Sequence, residues 1–364
     1  MRAYTTLTTL HLSPSDSGRL AEAAVRALPR RATSAPAFTS NAETDSRLLE
    51  QYARAALSEQ KRGDTCLWEA VRAMVAATED PHTMLISPAQ SRAAGPFLEG
   101  LPSVYFGAAI GFLPDGRYLV IDVDLSSPAG KAGLKPGDVV LAMDGREAST
   151  LRAFDLLFPW RNGTPVICRV RRPGLNDPVE LKVTPFTWLA PIVDSRMLDD
   201  NVGYVRLKVF VASKDAQRDS ASLVRVRLEQ LALAGARSFV FDLRGNPGVK
   251  LEALTKLIPT FSKGDPLLLF RDRNGKDEVL HREGKTGDGS SLPVVLVVDS
   301  GTFSAAEFTA CALQQYKSAL ILGSQTGGGC PFRKISNWRM GTFCITPEKP
   351  WSDPSVIAFP RVGA

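Results

Sequence analysis

The segment that constrains this chain most is 293–307. Pro293-Val-Val-Leu-Val-Val298 is apolar without a break, and Asp299-Ser-Gly-Thr-Phe-Ser304 then turns into Ala305-Ala306-Glu307, a helix start. A strand apolar on both faces is buried on both faces, which is the pattern of a parallel sheet covered by helices. Such sheets gather their chemistry in the turns at the carboxyl ends of strands. This turn delivers one hydroxyl, Ser304, to the first residue of a helix. On those residues alone the simpler reading is a capping box, with Ser304 Oγ accepting from the Glu307 N–H and the Glu307 carboxylate reaching back to the Ser304 N–H. The other reading is a serine nucleophile. It gains weight from a turn of the same kind upstream, Phe241-Asp-Leu-Arg-Gly-Asn-Pro-Gly248, again at the end of a buried strand. A further strand-like stretch, Ala319 to Leu322, and the glycine turn Thr326-Gly-Gly-Gly329 follow.

Composition narrows the class. The 364 residues are 44% hydrophobic and 23% charged, ordinary for a water-soluble chain of two or three domains. The net charge of +6 is mild. Arg169, Arg171 and Arg172 alternate along a strand and read as a solvated face rather than a nucleic-acid patch. Five cysteines, Cys66, Cys168, Cys311, Cys330 and Cys344, lack paired metal spacing and suggest reduced thiols rather than a disulfide framework. No metal or organic cofactor is implied. No segment approaches the ~20 apolar residues of a membrane span, and Met1 to Leu20 lacks the apolar centre of a secretory signal. As it stands, the chain reads as cytoplasmic, without stable membrane insertion.

Along the chain, 1–43 is rich in Ser, Thr, Ala and Arg and reads as a loose tail. Residues 44–98 form a helical region in which Leu67, Val71, Met74 and Val75 share one face, ending before Asp80-Pro81. From 101 to 187 short strands alternate with Gly and Pro turns, a compact β module. From 188 to 364 strands alternate with helices. Val205, Leu207 and Val209 alternate with Arg206 and Lys208 in a strand over 202–210, and Val224, Leu228 and Leu231 make a helical stripe. Strand–helix–strand order predicts parallel pairing with right-handed crossovers.

Two motifs carry a resemblance. Ser127-Pro-Ala-Gly-Lys-Ala-Gly-Leu-Lys-Pro-Gly-Asp-Val-Val-Leu-Ala-Met-Asp-Gly145 closely resembles the PDZ signature found in proteases, with Ala129, Ala132 and Leu134 as core and Gly133 and Gly137 in turns. Upstream, Phe106-Gly107-Ala108-Ala109-Ile110 resembles the loop whose backbone N–H groups hold a peptide's terminal carboxylate, so the implied ligand is an extended peptide added as a strand. With Phe241–Gly248 and Gly301–Glu307 behind it, the order resembles the tail-specific (C-terminal processing) serine peptidases. Their relatives, the tricorn core protease and the interphotoreceptor retinoid-binding protein modules, share it. The resemblance covers roughly 65–345. It implies a multidomain α+β and α/β fold: a helical N-terminal region, a PDZ-like β module and a ClpP/crotonase-like α/β core.

The resemblance also implies roles. Ser304 is the nucleophile, and the N–H groups of Gly248 and Ala305 form the oxyanion hole. Asp242 and Arg244 read as structural partners. A serine needs a base. The tail-specific branch takes a lysine from a Gly-Lys-Gly turn, but Gly327-Gly328-Gly329 has none; Lys317 falls inside a helix and Lys334 several residues late. The tricorn-like branch takes a histidine from an Asp-x-His-Thr context, and Asp80-Pro-His82-Thr83 supplies it, while His11 lies in the tail and His281 in a polar loop. The chain departs from that branch in two places. Alanine (Ala358) stands where an orienting acid is expected, with Glu348 the nearest substitute, and Val249 replaces a second glycine.

The sequence therefore predicts a serine endopeptidase acting on extended or C-terminal polypeptide segments, without nucleic acid or cofactor. Members of such families are often extracytoplasmic. A catalytically impaired peptide- or ligand-binding protein is the alternative. Crotonase-type acyl chemistry rests on fold analogy alone.

Overall fold

The computed structural model describes residues 17–28, 35–57, 63–78, 94–113, 115–151, 163–265, 267–271, 277–283 and 292–327, with single positions 4, 8 and 156. Contacts divide the chain into two units, the first containing 1–87.

The described part of 1–87 contains the helices Ser17–Ala27, Ala42–Leu57 and Gly63–Ala77. The first helix corrects the expectation of a loose tail over 1–43. Leu20, Ala21, Ala24, Val25 and Leu28 recur at helical spacing and are buried with Leu49, Ala70, Met74 and Val75. The stripe is short and rich in alanine, which hides it among the neighbouring Ser and Thr. Asp45 is fully buried and satisfied: its carboxylate accepts from Ser17 Oγ at 2.8 Å and from the Thr39 N–H at 2.7 Å. Leu67, expected on the core face of the third helix, is instead 44% exposed, and Ala70 takes the buried position.

In the second unit a β module comes first. Strands Ala108–Phe112, Tyr118–Val123, Val139–Met143, Val166–Arg171 and Val179–Val183 pair antiparallel in that order, with Arg146–Glu147 added to the third. Their inward residues, among them Val120, Val140, Cys168, Val170 and Val183, close a core with Phe106, Ala129 and Leu134. Arg172 is not part of a solvated face. Its guanidinium donates to both oxygens of the fully buried Asp138 at 2.8 and 2.7 Å and to the Gly133 carbonyl at 2.8 Å. The Lys135 N–H donates to the same carboxylate at 2.9 Å, so this ion pair ties the Gly-Leu-Lys-Pro-Gly turn to the end of a distant strand.

A five-stranded sheet follows, ordered Leu320–Gly323, Val294–Val298, Ser238–Asp242, Val202–Leu207, Val193–Leu198; the last pair is antiparallel and the rest parallel. Helices Ser220–Leu233 and Ala305–Gln315 pack with it, and helix Leu251–Leu257 packs against those two. Val205, Leu207, Phe239, Phe241, Leu296, Leu254 and Leu313 are within 1% of complete burial, each contributing about 1.5–3 kcal/mol of transfer free energy. The expected strand over 202–210 stops at Leu207, and Phe210 continues as an isolated parallel bridge to Val249. Its polar face meets the β module: Arg206 pairs with Asp122 at 2.8 Å, and Lys208 reaches Asp124 at 3.5 Å. Among the described residues no helix is long and apolar enough to cross a membrane.

Candidate active site

Strands Ser238–Asp242 and Val294–Val298 are parallel neighbours, with Asp242 opposite Val297. Their following turns therefore leave the sheet side by side. Asp299 fastens them: its Oδ1 accepts the Gly245 N–H and the Gly301 N–H, both at 2.9 Å. Thr302 Oγ1 donates to the Leu243 carbonyl at 2.8 Å, and the Phe303 N–H donates to the Asn246 carbonyl at 2.8 Å. Sequence reasoning missed Asp299 because its partner turn lies some fifty residues away; the acid at a strand end before Ser-Gly-Thr was the available signal.

This bracing holds Ser304 at φ +53 and ψ −120. A residue with a side chain rarely adopts that conformation, which costs on the order of 1–3 kcal/mol and survives only where the surroundings impose it. A strained serine on a sharp strand-to-helix turn has the backbone geometry of a nucleophile elbow. Both arms of the expected capping box are present: the Glu307 N–H donates to the Ser304 side chain, and Glu307 Oε2 accepts the Ser304 N–H at 2.9 Å. Glu307 Oε1 also accepts from Thr326 Oγ1 at 2.6 Å, and the Gly327 N–H donates to the Thr302 carbonyl at 3.0 Å. Thr326 and Gly327 are thus tied to the residues flanking the serine.

Gly248 lies against that serine. It has φ +79, and a Cβ there would stand 2.6 Å from Ala305 N and Phe303 O and 2.9 Å from Ser304 Cβ. No side chain fits, so the two glycine-flanked turns expected to meet do meet. Ala305, fully buried, is the first helical residue, where no carbonyl of its own helix reaches the N–H and the positive end of the helix dipole lies. The Gly248 N–H donates to Asn246 Oδ1 at 2.8 Å. Val249 has φ +113, a conformation suited to the glycine the motif lacks.

Asp242 and Arg244 form a structural pair beside this turn. The buried Asp242 carboxylate accepts from Arg244 N at 2.8 Å, Arg244 Nη2 at 2.8 Å and Tyr204 Oη at 2.6 Å. Burial by itself would raise the Asp242 pKa, but these hydrogen bonds outweigh it and hold the group below the ordinary carboxylate value. Tyr204 is pushed up to about 12 by burial and then by Asp242. The one cysteine on the serine's helix, Cys311, is pushed up to about 11 by burial and by the charge of Glu307. It therefore stays a thiol at neutral pH, unsuited to act as nucleophile.

The bases are less evenly placed. His82, Lys334, Glu348 and Ala358 lie outside the described residues, as do Gly328, Gly329 and His11. His281 is exposed and pairs with Asp265 at 2.9 Å. Lys317 does not sit inside the helix: the helix ends at Gln315, and Lys317 follows it at φ +53 with its N–H on the Gln314 carbonyl. A helix of 11 residues puts it ~16 Å from the serine end.

In the β module, Phe106 is fully buried and Gly107 turns at φ +86, where a Cβ would overlap Ser127 at 2.0 Å. Ala108, Ala109 and Ile110 open an edge strand of their sheet. That strand lies on the two turns of the α/β core: a Cβ at Gly245 would stand 2.5 Å from Ala109 Cβ, and one at Gly301 would stand 2.4 Å from the Ile110 carbonyl. Beside it, Gly107, Ala108 and Ala109 share a small cleft with Trp188, Arg206, Lys208 and Arg244.

The PDZ domain model (PDZ_2) matches residues 98–183, and the model of peptidase family S41 matches residues 201–359, which include both turns. The chain carries an S41 peptidase domain preceded by a PDZ domain. The carboxy-terminal processing protease CtpA of Bacillus subtilis is 28% identical over 274 residues, 74% of this chain and 56% of that protein. The carboxyl-terminal-processing protease of Synechocystis is 31% identical over 290 residues, 77% of this chain and 64% of that protein. This chain thus spans less than two thirds of the length of those curated relatives. A solved photosystem II D1 C-terminal processing protease matches with TM-score 0.65 at 20% identity, covering 94% of this chain and 86% of that one. The mixed fold expected from the sequence is the fold of that protease.

Proposed function

We propose that this S41 domain is a serine endopeptidase that cleaves extended polypeptide segments, with Ser304 as nucleophile. The observation that carries the reading is Ser304 at φ +53 with Gly248 in backbone contact beside it. Serine attack on an amide carbon forms a C–O bond and places negative charge on the former carbonyl oxygen. The N–H groups of Gly248 and Ala305 stabilise that charge, and losing one such donor costs roughly 10²- to 10³-fold in rate. His82 is the proposed base: it takes the hydroxyl proton and returns it to the leaving amine. The loop Phe106–Ile110 holds the substrate's C-terminal end as an added strand, which brings the scissile bond to Ser304 as an effectively intramolecular reactant.

A fluorophosphonate probe tests the proposal. Labelling of the folded protein that is abolished in Ser304→Ala and weakened in His82→Ala supports it. One observation favours a second reading, a catalytically impaired peptide-binding protein: the Gly248 N–H is engaged by Asn246. Complete absence of labelling in folded protein, with a C-terminal peptide still bound, selects that reading.

A further inference from the structure

We infer that Asn246 is a positioning residue of the oxyanion site: its carboxamide holds the Gly248 N–H in the free protein and releases it to the oxyanion. The inference rests on the reading of Ser304 as nucleophile. Asn246 is completely buried. Its Nδ2 donates to the Leu207 carbonyl at 2.7 Å, its Oδ1 accepts the Gly248 N–H at 2.8 Å, and its own carbonyl accepts the Phe303 N–H at 2.8 Å. One residue thereby links the end of strand Val202–Leu207, the Gly-Asn-Pro-Gly turn and the residue preceding Ser304. Turn formation alone needs only the Oδ1 bond. The Nδ2 bond to Leu207 fixes the carboxamide against the sheet, so Oδ1 is a stationary acceptor rather than a mobile one.

A stationary acceptor solves a problem specific to such a site. A buried donor aimed at an empty oxyanion position is an unsatisfied group in the free protein, which is costly. With Asn246 Oδ1 in place, the donor is satisfied and the loop stays closed on Ser304. An oxyanion is a stronger acceptor than a neutral amide oxygen, and an N–H can be shared between two acceptors on the way. The other side of the glycine is fixed, since its carbonyl accepts the Phe210 N–H at 2.8 Å. The change of partner therefore needs only a tilt of the Pro247–Gly248 peptide. Val249, at φ +113, already holds this turn away from the relaxed backbone of a β-branched residue.

The test is fluorophosphonate inactivation of Asn246→Ala and Asn246→Asp alongside the wild type and Ser304→Ala. In this reaction Ser304 Oγ bonds to phosphorus, fluoride leaves, the hydroxyl proton passes to the base, and the phosphonyl oxygen occupies the oxyanion position. Asn246→Ala is expected to lower the maximal inactivation rate by roughly 10²-fold with little change in probe affinity. Asn246→Asp puts a carboxylate beside the donor, so it is expected to be slower than Asn246→Ala at pH 8, with the ratio of the two narrowing as pH falls. A merely structural asparagine predicts the opposite order, because aspartate is nearly isosteric, and a ratio independent of pH. If neither variant folds, the structure of the phosphonylated wild type decides. Gly248 N is expected on the phosphonyl oxygen, and finding it on Asn246 Oδ1 alone overturns the inference. A labelled wild type with equally reactive Asn246 variants overturns this inference only, whereas an unlabelled wild type overturns the nucleophile reading on which it rests.

Discussion

Gly248→Ala is the perturbation whose consequences the structure fixes most tightly. The added methyl meets Ala305 N and Phe303 O at 2.6 Å, both backbone atoms, so no side chain can swing away. Ordinary contact begins near 3.4 Å, so the two turns must separate by ~0.8 Å, a displacement of the size that costs an active site ~10²-fold. The left-handed φ of +79 adds about 1–2 kcal/mol of strain for any L residue. The expected result is a folded protein melting several degrees below wild type, whose Ser304 reacts with a fluorophosphonate at least ~10²-fold more slowly. Melting by circular dichroism and the second-order labelling rate are the two readouts. A Gly248→Ala protein labelled at the wild-type rate would show that this turn does not serve Ser304, and the oxyanion assignment would fall.

Three further outcomes follow from individual contacts. Val249→Gly should stabilise the protein by about 1 kcal/mol, since relief of a β-branched residue at φ +113 outweighs the entropy glycine adds to the unfolded chain; a lower melting temperature refutes the strain. Asp242 has a folded-state pKa below its unfolded value of about 3.8. At acid pH the unfolded chain therefore binds the extra proton, so the Asp242 contribution is complete above about pH 4 and is lost as pH falls through the folded pKa. Asp242→Asn should melt lower at pH 7 and show a shallower acid limb; an unchanged acid limb contradicts the assignment. The Arg206–Asp122 pair, with side chains 11% and 30% exposed, joins the two domains. A double-mutant cycle to alanine should give a coupling of ~1 kcal/mol that shrinks in high salt, and zero coupling would make the contact incidental.

What the sequence revealed and what it concealed divide along a physical line. The strand Val294–Val298 and the glycine turns after it were legible because burial on both faces and forced backbone angles leave signatures within a few residues. Ser304, Gly248 and Ala305 belong to that class. Asp299 and Asn246 were not seen as site residues, since Asp299 holds the Gly245 N–H and Asn246 is anchored on the Leu207 carbonyl, groups brought near only by the parallel pairing of distant strands. Arg172 was misread for the same reason: in sequence it continues an arginine run, and only the folded sheet brings it to Asp138. The helix Ser17–Ala27 escaped because alanines carry much of its buried face. The lysine just beyond the serine's helix was misplaced by two residues at a helix end, where capping rather than periodicity decides the boundary.

The central claim is that Ser304 is a reactive nucleophile. Its most direct test is mass-spectrometric mapping of the fluorophosphonate adduct on the native protein. The account predicts one phosphonyl group per chain, on the peptide containing Ser304. An adduct on any other residue, or none on protein shown to be folded, would contradict it.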